Sequence, residues 1–142
     1  MKLGRTLVAM LALFGSHCAK PSGNAGDNGG PPPPPLAATG AITLDPPAAH
    51  SPSIVRSVTA SFSVIGVTAV SDFDVEFTMP SGLPYEKRIA PLIADPFNLQ
   101  QLQFVLPVAG TFIDSNDLTG TWQVSLRLGG NVLTTQTFEL AR

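Results

Sequence analysis

Residues Asp72–Met79, "DFDVEFTM", alternate without a break between polar and large apolar side chains. Phe73, Val75, Phe77 and Met79 fall on one side of an extended chain, and Asp72, Asp74, Glu76 and Thr78 on the other. A helix turns every 3.6 residues and would scatter these groups around its axis, whereas a strand changes face at each residue. The segment reads as a half-buried β-strand. The same rhythm recurs along the chain. Ile42 and Leu44 share a face in "AITLD", and Val58, Ala60, Phe62 and Val64 share one in "VTASFSV". Leu102, Phe104 and Leu106 do so in "LQFVL", and Trp122, Val124, Leu126 and Leu128 in "WQVSLRL". Turn-forming clusters, "DPP", "SPS", "MPSGLP", "ADP", "SND" and "GGN", separate these runs.

About seven short strands with regular turn signals predict a single antiparallel β-sandwich, an all-β fold, over residues 41–142. No segment is long and helical enough to cover a parallel sheet, which excludes an α/β arrangement. Phe97–Gln101, after Pro96, is the one place where a helical turn is expected. The end of the chain, "TGTWQVSLRLGGNVLTTQTFEL", reads as a hairpin. A three-residue loop at Gly129–Asn131 sets Trp122 opposite Phe138 and Gly120 opposite Leu140. A two-residue loop at Gly129–Gly130 turns the Phe138 ring to the wrong face. Apolar pairing favours the longer loop.

The Gly-x-Trp start, the alternation, the Gly-rich turn and the Phe-x-Leu end resemble the closing hairpin of bacterial immunoglobulin-like domains. The resemblance implies an Ig-like (fibronectin III-like) sandwich, a module used in envelope proteins. It transfers no active residues. The cysteine pair of antibody-type domains is missing, and Trp122 stands in the penultimate strand.

The N-terminal part is of a different kind. Lys2 and Arg5 precede an apolar run, Leu7 to Phe14, and the small residues Gly15 and Ser16 follow. This is the order of a secretory signal. As a helix the run rises only about 12 Å, too short to span a bilayer, and it is apolar all round, unlike an amphipathic core helix. One residue further on, after His17, stands Cys18, the chain's one cysteine. An unpaired thiol in an exported chain calls for an explanation. "GSHC" resembles the lipobox of bacterial lipoproteins, with Ser16 on the pattern and Gly15 and His17 off it. The resemblance implies cleavage of residues 1–17, acylation of Cys18 and anchoring to a membrane of the cell envelope. Ala19 in the next position implies transfer to the outer membrane. Residues 18–40 hold scarcely a large apolar side chain, and their Gly/Asn and Pro31–Pro35 composition predicts a disordered stalk ending in a stiff extended rod.

The inventory narrows the chemistry. Without Lys2 and Arg5, six of the eight basic residues remain against ten acidic ones, a formal charge of −4. No basic cluster suits nucleic acid. One histidine, His50, remains after cleavage, with no nucleophile motif beside it, so no catalytic residue, cofactor or metal is expected. The acidic stripe Asp72, Asp74 and Glu76 has a calcium reading, but alternate residues on one face stand about 7 Å apart, too far to converge on one ion. The competing reading is a solvated face that keeps the strand from pairing with another molecule. Tyr85 in "LPYEKR" and the "DSND" turn, Asp114 to Asp117, are the candidate ligand-binding positions. The expected role is a structural or protein-interaction one in the envelope, with another envelope protein as partner and no enzymatic activity. The alternative is a ligand-binding module for cell-wall or surface polysaccharide, with calcium as a possible aid. The oligomeric state is left open.

Overall fold

The computed structural model describes residues 29–142. Seven strands follow in order: β1 (Ala37–Asp45), β2 (Ser57–Ile65), β3 (Ser71–Thr78), β4 (Pro84–Leu92), β5 (Gln100–Pro107), β6 (Gly120–Leu128) and β7 (Asn131–Leu140). A single helical turn, α1 (Phe112–Ser115), lies between β5 and β6. The strands form two antiparallel sheets, β1-β2-β5 and β4-β3-β6-β7. The fold is a β-sandwich.

The alternating apolar residues meet between the sheets, because that is the one place where every second side chain of all strands leaves water at once. Val58, Ala60, Phe62 and Val64 of β2 and Leu102, Phe104 and Leu106 of β5, on one sheet, face Phe73, Val75 and Phe77 of β3 and Trp122, Val124 and Leu126 of β6, on the other, all buried. The hydroxyl and charged residues between them line the outer faces.

Three features differ from the sequence reading. The sandwich begins at Ala37, ahead of the expected Ala41. Ala37 to Gly40 carry no large apolar side chain, yet they complete the ladder of β1 on β2, with Ala37 opposite Ile65 and Gly40 opposite Phe62. The helical turn expected at Phe97–Gln101 is absent: Gln100 and Gln101 already belong to β5. The turn forms instead at Phe112–Ser115. There the Thr111 side chain accepts the Ile113 N–H at 3.2 Å and the Asp114 carboxylate accepts the Gly110 N–H at 2.9 Å.

The third difference is in the closing hairpin. Trp122 pairs with Phe138 and Gly120 with Leu140, as the apolar pattern requires. The loop itself, however, holds two residues, Gly129 and Gly130, since Leu128 pairs with Asn131. Both glycines have positive φ, 56° and 83°, as a two-residue turn matching the twist of the strands demands. The missing residue is made up by a register shift after Leu126, whose partner is Thr134, while Arg127 pairs with Val132. Leu133 is the extra residue of a bulge.

β4 is an edge strand whose inner side is charged. Glu86 stands opposite Phe77 and Arg88 opposite Val75, on the side of β3 that enters the core. Arg88 Nε lies 2.6 Å from the Glu86 carboxylate, and its Nη1 donates to the Val105 carbonyl at 3.0 Å. Val105 lies on β5, the edge of the other sheet. One guanidinium thus ties edge strand β4 to edge strand β5, and inward-pointing charges on an edge strand discourage pairing with another chain.

Candidate functional site

Of the candidate positions, Cys18 lies outside the described residues. Tyr85, Asp114 and Asp117 lie at the same end of the sandwich, the end that receives the C-terminus of β1 and the start of β4 and β6. Tyr85 is half-buried, and its ring meets Trp122 edge-on with centroids 5.4 Å apart. Trp122 is fully buried, stacks on Phe138 at 5.8 Å and donates its indole N–H to the Leu118 carbonyl at 3.0 Å. Trp122 therefore joins Tyr85 to the segment that carries the two aspartates. Asp114 is engaged by the Gly110 N–H. Asp117, at a positive φ of 49°, pairs with Arg142, whose guanidinium it holds more firmly protonated than usual through hydrogen bonding and charge. The Tyr85 ring packs against Trp122, and both carboxylates already have partners.

The acidic stripe has a different setting from the one expected. β3 is a central strand, flanked by β4 and β6, so its charges guard no edge. Asp74 instead pairs with Lys87 of β4 at 3.0 Å, and Glu76 with Arg127 of β6 at 3.2 Å. Such partly exposed pairs are worth about 0.2–1 kcal/mol each. They tie β3 to both of its neighbours across the outer face. Among the described residues no three His, Cys, Asp or Glu side chains converge on a position that could hold a metal ion. His50 is exposed, with Nδ1 3.4 Å from the Glu139 carbonyl.

The opposite end receives the Pro31–Leu36 segment and was not singled out by the sequence. Three stretches are sewn together there. Pro35 and Leu36 lie against Gly66, where a Cβ would stand 2.5 Å from the Pro35 carbonyl oxygen. The Gly66 N–H donates to the Pro96 carbonyl at 3.2 Å, and Val67 bridges to Asp95. An open depression of about 110 Å³ lies beside this junction, with Leu36, Val67, Phe73 and Leu128 among its walls.

The β4–β5 connection, residues 93–99, is built inside out. Its polar groups satisfy one another: the Gln100 side chain accepts the Ile93 N–H at 3.1 Å and donates to the Ile93 carbonyl at 2.9 Å. The Asp95 carboxylate accepts from the Asn98 backbone N–H at 3.2 Å and from its side-chain amide at 3.0 and 3.1 Å. The apolar side chains face water: Ile93 is 65% exposed, Phe97 55% and Leu99 56%, with Val70 on the neighbouring connection at 72%. The sequence signal for this patch was faint, large apolar residues in "LIADPFNL" without strand or helix period. No family model and no curated protein matches the chain.

Proposed function

We propose that this chain is a lipid-anchored protein of the bacterial cell envelope, acylated at Cys18, whose sandwich serves a structural or protein-interaction role without catalysis. The observation that carries the reading is Cys18 itself, the one thiol, placed one residue after the run Leu7–Phe14, Gly15 and Ser16 and ahead of a stretch rich in Gly, Asn and Pro. An N-terminal cysteine bearing several acyl chains gains about 0.8 kcal/mol per buried CH₂, sufficient for stable anchoring. The end that carries Tyr85, Asp114 and Asp117 lies farthest along the strands from the arriving tether and is the surface offered to another envelope component.

The test compares the native protein with Cys18→Ser. The native form is expected in the detergent-rich phase, with an N-terminal peptide that begins at Cys18 and carries diacylglycerol. Cys18→Ser is expected in the aqueous phase with an unchanged circular dichroism spectrum. A mature N-terminus downstream of Cys18, or a free thiol there, would sink the reading.

A further inference from the structure

The inside-out connection at residues 93–99 needs an explanation that packing within the chain does not supply. Exposing Phe97 and Leu99 to water forgoes the hydrophobic gain that either ring or isobutyl group would make in a core. The loop nevertheless holds them outward on a scaffold whose polar atoms are closed among Gln100, Asp95 and Asn98. Val70 and Leu36 extend the patch, because Gly66 and Val67 fasten the 66–70 connection to Pro96 and Asp95 and to Pro35. All of this surrounds the point where the chain enters β1.

We infer that this tether-side patch, with Phe97 and Leu99 at its centre, rests in the interfacial layer of the lipid bilayer to which the chain is anchored. The inference rests on the acylation of Cys18 proposed above. Two further observations point to lipid as the occupant. The chain leading from Cys18 enters β1 at this end, so along the chain it is the end nearer the anchor. The connections here, 31–36, 66–70, 93–99 and 129–130, carry one charged residue, Asp95, whose carboxylate is occupied by Asn98. A surface with one already satisfied charge enters the headgroup and acyl boundary, about 5–10 Å deep, without stripping ions of water.

The experiment uses the full chain, processed in a bacterial host, with a single added cysteine carrying an environment-sensitive fluorophore. Ala94→Cys reports on the patch while leaving its apolar side chains in place, and Ser81→Cys reports on the opposite end. Both positions are exposed. The purified proteins are reconstituted into phosphatidylethanolamine–phosphatidylglycerol vesicles containing bromolipid as quencher, and the N-terminal mass is read on the same samples. With an acylated N-terminus, the probe at 94 should shift to the blue and be quenched by bromolipid, the probe at 81 should do neither, and Phe97→Asp with Leu99→Asp should return the probe at 94 to the behaviour of the one at 81. An acylated N-terminus with a water-like, unquenched probe at 94 overturns this inference and leaves the anchor standing. A blue shift that ignores the quencher and grows with protein concentration assigns the patch to a second copy and likewise overturns it. An unacylated N-terminus removes the anchor and the inference together.

Discussion

At the end of the sandwich where β1 begins, the connections are short of charge and rich in outward apolar side chains, with Ile93, Phe97 and Leu99 all on one loop. At the other end, the connections carry Arg56, Asp114, Asp117 and Arg142, and the apolar exposures come one to a connection, at Ile54, Leu83 and Phe112. That end is also stitched inward: Val55, Val108 and Ile113 plug the core, Ala141 donates to the His50 carbonyl at 2.9 Å, and the Trp122 indole holds Leu118. Both ends cap the same two sheets, so the sheets do not dictate the difference. On the inference drawn above, it reflects what each end would meet: one stabilises the fold and faces water, and the other would rest against lipid.

The largest effect should come from the stitched end. Trp122→Ala removes a fully buried ring that contacts Tyr85 and Phe138 and strands the Leu118 carbonyl. The expected loss is about 3–5 kcal/mol, enough to unfold many domains of this size. Chemical denaturation reads it, and a loss below about 1 kcal/mol would mean that Trp122 does not organise this end.

Gly66→Ala probes the tether side next. Its φ of 84° and the crowding against Pro35 together predict a loss of about 2–3 kcal/mol. Gly130→Ala, at a φ of 83° but with open space around it, should lose only the backbone component, about 1–2 kcal/mol. The difference between the two measures how firmly Pro35 and Leu36 are packed. Equal losses would mean that the segment entering β1 is loosely held. Gly66→Ala should in addition make the Pro35–Leu36 region more sensitive to protease.

Arg88→Ala comes third. It removes the donor to the Val105 carbonyl and leaves Glu86 without its partner on the inner side of β4, at an expected loss of about 1–2 kcal/mol in thermal unfolding. It should also increase concentration-dependent association through the unguarded edge, read by sedimentation velocity. An unchanged stability would show that the two edges close without the guanidinium.

These features differ in how visible they were beforehand. Trp122 opposite Phe138 was legible because a one-residue slip would have turned the Phe138 ring to the wrong face. The two-residue turn was not, because the bulge at Leu133 restores the apolar pairing from a different loop, and nothing in "NVLTTQ" marks a bulge. β4 escaped the alternation test since its inner positions hold Glu86 and Arg88, residues that only an edge tolerates there. The first four residues of β1 were hidden by small side chains, their strand state being set by hydrogen bonds to β2. For the candidate site, chemistry-bearing residue types drew attention to Tyr85, Asp114 and Asp117, which the fold engages in packing, capping and an ion pair. Phe97 and Leu99 carry no chemistry and no period. Only their exposure, which is a tertiary property, distinguishes them from core residues.

The smallest effect on folding belongs to the patch itself. Phe97→Asp and Leu99→Asp, singly, should change unfolding free energy by no more than about 0.5 kcal/mol, since both side chains are more than half exposed. A loss several times larger would make these residues part of the structure and erase the contrast between the ends.

Hydroxyl-radical footprinting of the protein in isolated cell envelopes, compared with the same protein in detergent-free aqueous solution as Cys18→Ser, tests the polarity of the molecule most directly. Oxidation of Phe97 and Leu99 should fall severalfold in the envelope, while Leu83 and Phe112 at the opposite end should be oxidised to the same extent in both. Equal oxidation of Phe97 and Leu99 in the two samples, or protection confined to Leu83 and Phe112, would contradict that polarity.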